Sequence, residues 1–163
     1  MNVLSLTLAL SLSASIVGVS WHYSAPLRLH SDLKVQAQTV MEAMEVNMAF
    51  HVGANLCMTD PGNHELSKLK ALDYLSPQFE SDWTITTSYA IHPPRLTYRV
   101  HIQAPNRAKA DELKAVAPRF GYSGLYEAAS NTLILSSAVD NYLDTQGQIN
   151  RYNWSTGCFV DPY

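Results

Sequence analysis

No Asp, Glu, Lys or Arg occurs before Arg28, and this uncharged opening constrains the chain more than any other feature. From Val3 to Ser20 the sequence reads VLSLTLALSLSASIVGVS, eighteen residues in which every polar side chain is a Ser or Thr hydroxyl. Such hydroxyls bond back to their own helix, so a bilayer tolerates them. A helix of that length rises about 27 Å, close to the roughly 30 Å hydrocarbon core. Trp21 and Tyr23 follow, where amphipathic aromatics favour the interface. Residues 1–23 therefore read as an uncleaved anchor carried on Leu6, Leu8, Leu10, Leu12, Ile16 and Val17. A cleaved signal over residues 1–20 is the alternative, with Gly18-Val19-Ser20 or Ser13-Ala14-Ser15 as the small-residue site. Such signals open on Lys or Arg, and this run does not. A buried core helix is a third reading of the same run; the first two export the remainder of the chain.

The whole chain has 163 residues, which leaves room for one domain past the opening. Only 15% of them are charged, against about 25% in typical soluble domains, which argues against disorder and coiled coil. Eleven Lys and Arg against fourteen Asp and Glu give a net charge of −3 with no basic block, so no nucleic-acid partner is expected. The two cysteines, Cys57 and Cys158, predict one structural disulfide in an exported domain. In the chain-entropy account, closing a loop of about 100 residues restricts the unfolded state by about 4 to 5 kcal/mol. Orientation depends on that pair. Arg28 and Lys34, counted alone, would hold the C-terminal part inside; the cysteines weigh against that and favour an exported domain, which the resemblance given below would set in the periplasm behind a single-pass bacterial inner-membrane segment.

Ser24-Ala25-Pro26 predicts a break, because proline lacks an N–H and biases its predecessor away from helix. Residues 24–32 then read as a linker, with Ser31 and Asp32 as caps. Leu33, Ala37, Val40, Met44 and Met48 recur at spacings of three and four, so an amphipathic helix is expected from Leu33 to Met58, stopped by Asp60-Pro61-Gly62. A short helical segment follows over His64 to Tyr74. The period then switches to two. Trp83 to Ile91 and Leu96 to Ile102 alternate apolar with polar around His92-Pro93-Pro94-Arg95, which predicts an antiparallel hairpin with one buried face. Pro105-Asn106 caps a helix over Arg107 to Ala117, and Gly124 to Ala128 with Thr132 to Ser137 read as two further strands. The fold class is α+β: an N-terminal apolar helix, then an amphipathic helix packed on a small antiparallel sheet in helix-strand-strand-helix-strand-strand order, filling residues 33–163. Tyr152 and Trp154 are spaced as on one strand face in a tail that the disulfide would anchor.

Searches for catalytic or metal chemistry return little. The six histidines form no His-x-x-x-His pair and no HExxH motif, so no metal site is expected. About the hairpin turn, His92 falls beside Arg95 and His101 beside Ile85 or Thr86, so the two rings do not converge. Gly121-Tyr122-Ser123-Gly124 has the wrong spacing for a nucleophile elbow. Glu42, Glu45, Asp111 and Glu112 sit on polar helix faces, and the seven glycines form no phosphate loop. Asn153-Trp154-Ser155 matches a glycosylation acceptor, a pattern common by chance. No catalytic residue and no cofactor are expected.

The order of elements resembles the small PilM-type inner-membrane proteins of conjugative thin pili. The resemblance rests on MNVLSLTLALSLSASIVGV, on QAQTVMEAMEVNMAFHVGANLCMTDPG, and on the hairpin and helix through Arg107 to Ala117. It implies a membrane-tethered, non-enzymatic component of a pilus assembly or secretion apparatus, whose partners are the inner membrane and other pilus or secretion-system proteins; a homo-oligomer is compatible with that role. The chain is also similar in outline to pilins, which share an apolar N-terminal helix and a C-terminal disulfide. It lacks their basic leader and the acidic residue within the apolar segment, so minor pilin ranks second. A secreted binding module or small hydrolase is the rival outside this class.

Overall fold

A computed structural model describes residues 3–139 and 150–160 of the chain, with side chains from residue 25 onward. The first helix, α1, spans Val3–Asn55 with Pro26 inside it. Pro26 therefore does not break the helix, and residues 25–32, expected as linker, are helical. A proline costs about 3 kcal/mol in a helix interior, but the loss is confined to one turn while the turns on either side keep their bonds.

From Leu33 onward, one face of α1 forms the spine of the core. Leu33, Val40, Met44 and Met48 have no exposed surface, and Ala37 and Ala43 are buried between them. Each full burial of such a side chain is worth about 1.5–3 kcal/mol, so the stripe easily outweighs the proline. The helix ends at Asn55, three residues short of the expected Met58. Leu56 adopts φ +54, and Cys57 then pairs with Cys158 in an antiparallel bridge. Pairing with the tail, rather than Asp60-Pro61-Gly62, terminates the helix.

A six-residue helix, α2 (Leu66–Ala71), presses Leu69 into the core, and Leu75 is buried just beyond it. Two strands follow, β1 (Thr84–His92) and β2 (Arg95–Gln103), paired in the register that the turn predicts: His92 opposite Arg95, Ile91 opposite Leu96, His101 opposite Thr86. Helix α3 (Arg107–Val116) is capped by Asn106, whose side-chain oxygen accepts the Lys109 N–H at 3.0 Å. The α-helix ends at Val116, two residues before Pro118. It tightens into a 3-10 segment, Ala117–Ser123, with the proline in its first turn, where a missing N–H costs nothing. Gly121 there takes φ +57, and a Cβ on Gly124 would lie 2.5 Å from the Phe120 Cβ, so this corner requires both glycines.

Strands β3 (Gly124–Glu127) and β4 (Thr132–Val139) complete an antiparallel sheet of order β1-β2-β4-β3. β2 and β3 flank β4 and run parallel to each other, with α3 as the crossover between them. Both helices lie on one face. Leu96, Tyr98, Val100 and Ile102 of β2, with Leu133 and Leu135 of β4, meet the α1 stripe and Leu113 and Val116 of α3 in one core. The other face carries Thr86, Ser88, Arg99, His101 and Ile134, and no element packs on it among the described residues.

One buried polar contact fixes how α1 lies on β1. The Tyr89 hydroxyl donates to the Met44 carbonyl at 2.8 Å, and the buried Asn47 amide donates to Tyr89 Oη and to the Asn63 carbonyl. At the other end, the Ser81 hydroxyl donates to Gln36 Oε1 at 2.7 Å. α1 and β1 therefore run in the same direction. Truncating the spine should be expensive: Leu33→Ala is expected to lower the unfolding free energy by about 2–5 kcal/mol in urea titration, whereas Val35→Ala, on the exposed side of the same turn, should stay within about 0.5 kcal/mol.

Candidate functional site

The sequence-predicted site residues fall into two groups. Cys57 and Cys158 are joined by a disulfide, with sulfurs 2.05 Å apart. Leu6, Leu8, Leu10, Leu12, Ile16 and Val17 lie outside the residues whose side chains are described; among the described residues no helix is long and apolar enough to cross a membrane.

Around the disulfide, the tail is held by main-chain bonds as well as sulfur. The Met58 N–H donates to the Gly157 carbonyl at 2.7 Å, and the Phe159 N–H donates to the Leu56 carbonyl at 2.6 Å. The tail itself is a small hairpin of β5 (Tyr152–Asn153) and β6 (Cys158–Phe159). Asn153 Oδ1 accepts from the Ser155 N–H and hydroxyl, which closes its turn. Tyr152 is buried against Trp154 and Phe159, edge to face, and burial pushes its phenol above the usual tyrosine range. Trp154 lies in the turn and is 57% exposed, so it does not share a strand face with Tyr152 as expected.

A groove of about 510 Å³ opens between α1, the 3-10 segment and β4. Ala37, Tyr98 and Leu135 form its floor, with Met41, Phe120 and Val139 as apolar walls. His30, Lys34 and Arg119 line it together with Glu42 and Glu45. Because α1 contributes His30 and Lys34 a turn or more before Glu42 and Glu45, the groove is cationic toward one end and anionic toward the other. Its volume falls within the range of ligand sites, but acid and base are spread along a cleft rather than gathered on one reacting atom. A cleft with separated charges suits an amphipathic polypeptide surface. Periodicity marked Ala37 but gave no sign of a groove, which opens where β4 runs four residues beyond β3.

On the open face of the sheet, Ser88 and His101 touch, with Oγ 2.9 Å from Nε2. They are diagonal neighbours, Ser88 standing opposite Arg99 and His101 opposite Thr86. The hairpin register could have revealed this pair once cross-strand diagonals were considered. Burial first, and the Arg99 charge second, hold His101 below the usual histidine range, against an opposing pull from Glu127. A serine nucleophile would also need a carboxylate or carbonyl to orient the other ring nitrogen and donors to receive developing charge. Among the described residues His101 Nδ1 has neither, and no cluster of three metal-ligating side chains occurs.

No protein-family model matches the chain, nor does any curated protein or solved structure.

Two predictions arise from these contacts. The double variant Cys57→Ser/Cys158→Ser should lose up to about 4–5 kcal/mol of stability and become sensitive to proteolysis within residues 150–160; an unchanged urea midpoint under reducing conditions would contradict it. The folded pKa of His101 lies below the unfolded value of 6.5, so the unfolded chain binds the extra proton. The stability contributed by the neutral ring is fully present above the unfolded pKa and is lost as pH falls from there through the folded pKa. Between about pH 7.5 and about pH 5.5, wild type should lose more stability than His101→Gln.

Proposed function

We propose that this protein is a membrane-tethered component of a type IV or conjugative pilus assembly, or of a related secretion apparatus, that acts through protein–protein contacts and not through catalysis. Residues 1–23 are its single-pass anchor in the bacterial inner membrane, and the α+β domain stands in the periplasm. One observation carries the reading: the uncharged run of residues 3–20 precedes, by little more than ten residues, the Leu33–Met48 stripe that grips the sheet. In a tethered protein, so short a distance between anchor and core helix would set the domain's height above the bilayer.

Two further features support it. The Cys57–Cys158 disulfide suits an oxidising compartment. The groove beside α1, with charge at both ends over an apolar floor, suits a polypeptide partner. The resemblance to PilM-type proteins supplies the pilus context.

The test is made on the native protein. Its mass should include Met1 or the residue after it, and the chain should resist alkaline carbonate extraction from membranes. Replacing residues 1–23 with a strong cleavable signal should release a folded domain and abolish pilus formation or transfer. A native N-terminus near Trp21, or full activity of the released domain, would overturn the reading in favour of a secreted module.

A further inference from the structure

We propose that the corner of the domain nearest the tether, formed by Leu27, His30 and Lys34 of α1 with Arg119 and Tyr122 of the 3-10 segment, is a foot that rests on an anionic lipid bilayer. It is a second membrane contact, separate from the anchor, and it rests on the tethered reading above.

Position comes first. His30 packs on Phe120 with ring centroids 4.4 Å apart, so the 3-10 segment is among the first parts of the fold that α1 meets after the uncharged run. His30 stands ten residues beyond Ser20, the last residue of that run. Ten helical residues rise about 15 Å, and the headgroup layer is about 5–8 Å deep. With α1 upright, the 3-10 segment lies about 10 Å above the headgroups, close to one Debye length at physiological salt. An average helix tilt of about 20°, taken toward this side, lowers it further.

Charge selects the surface. Leu27, His30 and Lys34 are spaced three and four apart and share one side of α1. Asp32, the one acid between Ala25 and Met41, lies about 160° round the helix from Lys34. The segment APRFGYS brings Arg119 and no acid. Lys34 and Arg119 are exposed and make no ion pair among the described residues. Glu42 and Glu45 follow two to three turns farther from the tether, so this side of α1 runs from positive beside the bilayer to negative away from it. An anionic surface favours that arrangement, and a neutral one is indifferent to it. Near an anionic leaflet each Lys or Arg strengthens binding about fivefold, a pull that fades within a Debye length.

Backbone geometry supplies the contact side chains. Gly121 takes φ +57, and this turn separates Phe120, half-buried against His30, from Tyr122, which stands wholly in solvent. Leu27, one turn nearer the tether than His30, is 53% exposed. An exposed tyrosine and leucine beside cations suit a headgroup layer, with the ring at the interface and the charged tips at the phosphates.

The experiment places the full chain, one copy per disc, in lipid nanodiscs of pure phosphatidylcholine or of phosphatidylcholine with about 30% phosphatidylglycerol. Ser123→Cys sets a thiol next to Tyr122, and Asn63→Cys sets one near Asn47, toward the far end of α1; Cys57 and Cys158 are already joined. A neutral polyethylene glycol maleimide, too large for the headgroup layer, reads exposure as an alkylation rate. Ser123→Cys should react at least about fivefold more slowly in the anionic discs, and the difference should vanish at about 1 M salt. Asn63→Cys should react alike in both. Adding Lys34→Gln/Arg119→Gln should return Ser123→Cys in anionic discs to its rate in neutral ones. Equal rates in the two lipids would overturn the proposal, as would slowing that survives the double substitution. Slowing that needs two copies per disc would overturn it too, by giving the face to a second chain. Co-elution with the neutral discs reports on the tether alone. A chain that co-elutes but shows no lipid-dependent rate refutes the foot and leaves the tethered role standing, whereas one that fails to co-elute refutes the role and the foot with it.

Discussion

Everything in this domain depends on the burial of one stripe of α1 against one face of the sheet. Leu33, Val40, Met44 and Met48 lose all solvent contact there, and the strands answer with Leu96, Val100, Ile102 and Leu133. Without the helix, a four-stranded sheet would expose a whole apolar face. The other contacts refine that packing. Tyr89 and Asn47 fix the position of β1 along the helix, α3 covers the remaining part of the face, and the disulfide brings the tail to the end of the helix.

Much of this was legible in the sequence because it is local. The hairpin register follows from a two-residue turn and strict alternation: once His92 faces Arg95, every other pair is determined. Asn106 is a cap in the sequence for the same reason that it is one in the structure, a short side chain with an acceptor placed three residues before an unpaired N–H. The disulfide was legible by counting.

What escaped the sequence is non-local. Pro26 signals a break by its own chemistry, and only the wider helix determines that its cost is absorbed. The end of α1 at Asn55 is followed at once by the bridge from Cys57 to Cys158, a hundred residues away. The groove depends on the difference in length between two strands, and the contact between Ser88 and His101 on a diagonal across a pleat. Of the candidate site, the sequence indicated the staple and the uncharged run, while the surfaces that could meet a partner required the sheet order β1-β2-β4-β3.

The tail closure has a mechanical consequence. Cys57 follows the last residue of α1 by two positions, and Cys158, 101 residues on, stands in β6. Tension applied between α1 and β6 crosses the sulfur bridge instead of running through the residues between the two cysteines. The sheet and α3 lie inside the covalent loop that the bridge closes. The residues between the two cysteines are thereby bypassed by a pull exerted between α1 and β6.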